Sequence, residues 1–253
     1  MAAESRSIPI QVSVVLPAAS MPSKIAGAEQ NGARVFLAGE TPKDRERVTR
    51  EILDETGAVL VGPMDDPRIV LGQATTTFEF VEQVATTYGE KLDALVLPSA
   101  TGGLLSGAAV VCEQTDTMVF GCEPYEGGPD LRGSIEAGIV SDPGAQNTIA
   151  DGLRASTSAN NFDVIRQKDL VDGIFAADDE EIRQAWWLLI EQLRLLVEPT
   201  AALSLATVLC NKELRAMLAS RKPHWNIGLI LTGGNTTISR IVEEFSRTAS
   251  QAS

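Results

Sequence analysis

The chain has 253 residues, 34 acidic against 21 basic, with a net charge of −13 and 44 % hydrophobic content. That is enough chain to bury one large core or two modest ones, and the acidity argues against a nucleic-acid surface, which needs clustered Lys and Arg. One histidine (His224) and three spaced cysteines (Cys112, Cys122, Cys210) argue against a Ser-His-Asp triad, a zinc site and a disulfide framework, and fit a reducing compartment.

Short β-branched runs alternate with helical periodicity. Val12–Leu16 reads as a strand closed by Pro17, Pro22–Gln30 as a short helix, and Arg34–Ala38 as a strand ended by Gly39. Thr41-Pro42 is an N-cap followed by proline at the first helical position, so a helix is predicted over Lys43–Glu55. Ala58–Val61 reads as another strand, Ile69–Tyr88 as a helix, Ala94–Leu97 as a strand, Leu104–Gln114 as a helix and Met118–Cys122 as a strand. Asp178–Val197 is the clearest helix, with Asp178 as N-cap and an apolar stripe that includes Trp186. One helix follows from Pro199 to about Ala219, then a strand over Ile227–Leu231 and a final helix. Gly138–Asn160 has no periodicity, and Ser246–Ser253 reads as a frayed tail.

Strands separated by helices imply parallel pairing, hence an α/β fold, and continuous apolar strands suit sheets covered on both faces. No segment reaches ~18 uninterrupted apolar residues and the N-terminus lacks a signal-peptide pattern, so a cytoplasmic protein with no membrane partner is expected. In open α/β sheets, ligands sit beyond the C-terminal strand ends. Two such ends are glycine-rich: Pro98-Ser99-Ala100-Thr101-Gly102-Gly103-Leu104-Leu105-Ser106-Gly107 and Leu231-Thr232-Gly233-Gly234-Asn235. The first could cradle a phosphate on free amides at a helix start, or simply permit tight strand-to-helix packing. The second could aim a hydroxyl into a cleft, or be an ordinary turn. Neither is a Walker A loop or a dinucleotide fingerprint.

Taken together, these pieces resemble the fold-type II pyridoxal-phosphate enzymes, in the serine racemase and serine/threonine dehydratase branch. The resemblance rests on several segments in family order. They are Ile8-Pro9 to Leu16-Pro17, Leu71-Gly72-Gln73 with Thr75 and Glu79, Pro98 to Gly107, Glu123-Pro124, Thr148 to Leu153, Glu198-Pro199-Thr200-Ala201 and Thr232-Gly233-Gly234-Asn235. It implies a tryptophan synthase beta-like α/β architecture with parallel sheets and helices on both faces, incomplete at the N-terminus. The domains expected are a partial small one over 1–72, a large cofactor-binding one over 73–245, and a tail over 246–253.

The same resemblance assigns roles. Amides of Ala100, Thr101, Gly102, Gly103 and Leu104 would hold the phosphate of pyridoxal 5′-phosphate, and Thr232 would meet its pyridine nitrogen. Glu123, the Gly127 carbonyl and Asp130 would bind Mg²⁺ or Ca²⁺, the hard cations that oxygen ligands suit. The reaction implied is α-proton abstraction from L-serine or L-threonine, followed by β-elimination to a 2-oxo acid and ammonia, or by racemisation. A small-molecule amino-acid substrate and a homodimer are implied with it. Two departures stand out: Ala100 and Thr101 occupy glycine positions of the family loop, and Pro129 stands where the ungapped pattern puts the acid of the cation site. In addition, none of the six lysines (Lys24, Lys43, Lys91, Lys168, Lys212, Lys222) has the context of the family's Schiff-base lysine. No catalytic residue is therefore assigned, and the chain alone is expected to be inactive. The alternative is a catalytically inactive relative that acts as a binding or regulatory protein.

Overall fold

The computed structural model describes residues 10–251 apart from 21, 63–64, 129, 142–146 and 168. Ile8-Pro9, Pro129 and Lys168 thus lie outside the described residues. The chain forms two compact units, residues 1–61 and 62–253. This boundary precedes the one drawn at 72/73 from the sequence, which would have cut through the helix Pro67–Tyr88.

In the first unit, β1 (Ser13–Pro17) and β2 (Arg34–Ala38) pair in parallel, joined by α1 (Pro22–Gln30), and α2 (Pro42–Thr56) follows. The cap at Thr41 forms as its sequence predicts. Thr41 Oγ1 accepts from the Asp44 amide, Asp44 reciprocates to the Thr41 amide, and Gly57 closes the helix in the left-handed region. The strand expected over Ala58–Val61 does not form. Those residues have no strand partner among the described residues and Val59 is 76 % exposed, so β-branched composition alone could not hold them extended in a sheet.

The second unit begins with α3 (Pro67–Tyr88), capped by Asp66. It continues through β3 (Ala94–Pro98), α4 (Gly103–Cys112), β4 (Met118–Pro124), α5 (Leu131–Ala137) and α6 (Ala159–Ile165). Then come β5 (Gly173–Ala177), α7 (Asp179–Leu193), α8 (Pro199–Cys210), α9 (Lys212–Arg221), β6 (Ile227–Leu229) and α10 (Ile238–Gln251). The four strands are parallel in the order β5-β4-β3-β6. Side-chain alternation along β3 feeds two cores: Ala94 and Val96 join Trp186, Leu203 and Leu214 on one face, while Leu95 and Leu97 join Leu105, Leu131 and Ile165 on the other. The sheet is thus covered on both faces, and each fully buried large apolar side chain contributes about 1.5–3 kcal/mol. Trp186 sits in the core, as its place on the stripe requires, and donates Nε1–H to the Val197 carbonyl.

Several boundaries differ from the sequence reading. The helix expected to reach Val197 stops at Leu193, because Arg194 enters the left-handed region at φ 57°. The helix expected from Pro199 to Ala219 is two helices. Asn211 closes α8 through its amide to Thr207, caps α9 by accepting from Leu214, and anchors the corner by donating Nδ2–H to Ala176. Strand β5 and the short helices α5 and α6 were not anticipated. The final helix continues past Ser246 to Gln251, where a tail was expected.

Candidate active site

The strand order identifies the ligand end of the sheet. From β3 the chain passes through α4 to β4 on one side, whereas β6 returns on the other side of β3. Helix α4 supplies Leu105 to one core, and α10 supplies Ile241 to the opposite one. Neighbouring strands whose connections leave to opposite faces open a crevice beyond their C-terminal ends. Both glycine-rich turns lie there. Register pairs Val96 with Leu229, so Ser99 and Thr232 each follow three residues later, past the ends of their strands.

At the β3 end, Gly102 takes φ +93° and begins α4 without a side-chain cap. A Cβ on Gly102 would lie 2.7 Å from Ile165 Cδ1 and 3.0 Å from Asn161 Cβ, so both the conformation and the space require glycine. The first amides of α4 have no acceptor inside the helix and carry the positive end of its dipole. Gly107 does a different job: a Cβ there would meet Ala74 Cα at 2.9 Å, so it lets α4 lie against α3. The open question between phosphate cradle and tight packing therefore divides by position, with close packing at Gly107 and an anion-ready helix start at Gly102-Gly103.

At the β6 end, Gly233 takes φ +89° and lies over the Glu198 side chain, and the Glu198 amide donates to the Gly233 carbonyl. Thr200 Oγ1 accepts from the Gly152 amide. The Thr232 turn, the start of α8 and the Asp151–Leu153 turn are thereby joined. Three buried hydroxyls, Thr77 Oγ1 on α3, Ser99 Oγ and Thr236 Oγ1, have no hydrogen-bond partner among the described residues. Ser99 belongs to the first turn and Thr236 directly follows the second. Buried hydroxyls are rarely left unsatisfied, so both point to a polar ligand at this end of the sheet. Ala100, Thr101, Gly102, Gly103, Leu104 and Thr232 are thus brought to one sheet end, and the donor set suits a phosphorylated, ring-bearing cofactor.

The strand end next door behaves differently. Glu123, at the end of β4, is buried, and its Oε2 and Oε1 accept from the amides of Leu131 (2.6 Å) and Arg132 (3.0 Å). Burial raises its pKa, which the two amide hydrogen bonds oppose. Asp130 lies in the left-handed region at φ 50° and accepts from Ser141 Oγ at 2.8 Å. A Cβ on Gly127 would press on the Asn147 amide nitrogen. Among the described residues, no three Asp, Glu, His or Cys side chains come together as a metal centre. Glu123 caps α5 from outside, doing what Asp130 in this conformation does not do with its own side chain. The sequence pattern could not reveal this, because the cap spans eight residues of chain.

The described lysines of this unit stand elsewhere. Lys91 precedes β3, and Lys222 pairs with Asp93, which also precedes it, so both lie at the opposite, N-terminal end of the strands. Lys212 opens α9 behind Asn211, which is tied to β5 at the far edge of the sheet from β6. The cysteines are free, and burial pushes the Cys122 thiol up to about 12.

Fold and site together define an α/β protein with a glycine-rich, uncapped helix start at a topological switch point. The family described as pyridoxal-phosphate dependent enzyme matches residues 1–233. A serine racemase of Arabidopsis thaliana is 34 % identical over 97 % of this chain and 71 % of its own length. The L-threo-3-hydroxyaspartate ammonia-lyase of Saccharomyces cerevisiae is 32 % identical over 95 % of this chain and 70 % of its own. Among solved structures, a T.th. threonine deaminase is similar with a TM-score of 0.78 and 36 % identity, covering 90 % of this chain and 71 % of that one. The chain belongs to the pyridoxal-phosphate dependent enzyme family, and its fold is that of the fold-type II members. Among the described residues no helix is long and apolar enough to cross a membrane.

Proposed function

We propose that this chain carries the cofactor-holding face of a pyridoxal-phosphate dependent racemase or ammonia-lyase that acts on serine or threonine. One observation carries the reading: the Gly102-Gly103 helix start and the Thr232 turn leave adjacent parallel strands at the same end of the sheet. Pyridoxal phosphate, when bound, supplies an electron sink for the pair left behind as a proton departs from the amino acid's α-carbon. The residues of this chain bind and orient. Amides from Ala100 to Leu104 hold the phosphate, aided by the dipole of α4. The Thr232 hydroxyl meets the ring nitrogen and, being neutral, does not hold a proton on it as a carboxylate would. The relatives named as serine racemase, hydroxyaspartate ammonia-lyase and threonine deaminase support both the substrate class and the pairing of racemisation with elimination.

A second reading is a binding protein of the same fold, favoured by Lys91 and Lys222 standing at the wrong end of the strands. The test is to supply the 253-residue chain with pyridoxal phosphate and assay L-serine and L-threonine for 2-oxo acid, ammonia and D-amino acid. Turnover above that of free cofactor supports the enzyme reading. Saturable cofactor binding without turnover fits the cofactor-holding face in either reading, and absence of cofactor binding overturns both.

A further inference from the structure

The backbone of the loop from Ala100 to Gly102 is held by an outside clamp. The Ala100 carbonyl accepts from Thr157 Oγ1 at 3.1 Å. The Thr101 carbonyl accepts from the Ser158 amide (3.1 Å), Ser158 Oγ (3.2 Å) and Asn161 Nδ2 (2.9 Å). The Gly102 carbonyl accepts from the Ser106 amide at 2.8 Å, the first bond of α4. A trans peptide is planar, with its C=O and N–H on opposite sides. Fixing three successive carbonyls therefore fixes three successive amides: those of Thr101 and Gly102 point away from the clamp, and that of Gly103 points away from the α4 bond made by the Gly102 carbonyl. The clamp is rigid, since Thr157 is 4 % and Asn161 2 % exposed, and Ser106 Oγ ties back to the Asn161 carbonyl. Its side chains also fill the space that a Cβ on Gly102 would need.

We infer that Thr157, Ser158 and Asn161 are positioning residues for the cofactor phosphate: they aim the Thr101 and Gly102 amides, next to the Gly103 amide that the first bond of α4 sets. This rests on the phosphate lying at the start of α4, as proposed above. Ala100 and Thr101 are tolerated because these peptides are held by hydrogen bonds from the segment leading into α6, and not by their own torsional freedom.

Pyridoxine 5′-phosphate is the probe, since it has no aldehyde to react with lysines, and pyridoxine is its phosphate-free control. Calorimetry on the full chain and on T157V and N161D, each checked by thermal melting, reads the clamp. The expected result is roughly five- to tenfold weaker binding of the phosphate ligand, about the worth of one hydrogen bond, with pyridoxine affinity unmoved and T157S binding like the wild type. Folded variants that bind the phosphate ligand with wild-type affinity overturn the inference. A wild type that does not distinguish the two ligands overturns the phosphate site itself, and the inference with it. Should the variants melt early, the wild-type amide resonances decide: Thr101, Gly102 and Gly103 shift with the phosphate ligand and not with pyridoxine, or the inference falls.

Discussion

The ends of β3 and β4 are neighbours in one sheet, yet they spend their polar groups in opposite ways. After β3, the carbonyls of Ala100 and Thr101 are bound from outside by Thr157, Ser158 and Asn161, which leaves the following amides directed outward. After β4, the Glu123 carboxylate is turned inward and takes both leading amides of α5. One helix start has no side-chain cap; the other is capped by Glu123. A glycine or an acid at a strand end thus says little about binding until the partners of its neighbours are known.

The largest effect that would break this comparison is expected from G102A. It forces a non-glycine residue to φ +93° and presses a Cβ on Ile165 and Asn161, at a cost of about 1–3 kcal/mol for backbone strain before packing is counted. Thermal melting should show a loss of several degrees, with binding of pyridoxine 5′-phosphate lost as well. G107A tests the packing half of the same loop. Its Cβ meets the Ala74 backbone at 2.9 Å, so about 1–3 kcal/mol of stability should be lost through overpacking, with the affinity of the remaining folded protein little changed. If G107A affects binding as much as G102A does, the division of labour within the loop is wrong.

At the β4 end, E123Q keeps the side-chain shape but presents an NH₂ to one of two amides. An unsatisfied buried donor costs about 1–3 kcal/mol, which equilibrium unfolding should register. Millimolar Mg²⁺, Ca²⁺ or EDTA should leave the melting temperature unchanged, because the protein's own amides occupy this carboxylate. A rise in melting temperature with either ion, abolished in E123Q, would restore the cation site.

The smallest effect belongs to the opposite end of the strands. Lys222 beside Asp93, with the Asn226 amide, holds the Asp93 carboxyl below the usual range. Its stabilisation is therefore present above the unfolded-state pKa and is lost as pH falls through the lowered folded value. The pair is partly exposed, so D93N should cost roughly 0.2–1 kcal/mol at neutral pH and flatten the acid limb of the stability curve.

Much of the second unit was legible because its strands carry two apolar faces: Ala94–Leu97 reads as a buried strand and forms one. The Thr41 and Asp178 caps were equally legible, since a capping box is local. The break at Asn211 was not, because its side chain answers to Ala176, on another strand. Strand β5 was missed because Gly173-Ile174-Phe175-Ala176-Ala177 is short and becomes a strand only by pairing with β4. At the site, Gly102, Gly103 and Thr232 announced themselves by composition. Thr157, Ser158 and Asn161 did not: nothing in a Thr-Ser-Ala-Asn-Asn stretch says that it reaches a loop more than fifty residues away. Glu123 showed the converse, a residue type that reads as a metal ligand and is used as a cap.

Phosphorus-31 NMR of pyridoxine 5′-phosphate added to the wild-type chain tests the central claim most directly. A saturable, slowly exchanging resonance whose shift stays nearly constant between pH 5 and 8, where the free ester titrates with a pKa of about 6, is the result the account predicts. A phosphate that titrates in the presence of the chain as it does in buffer would contradict it.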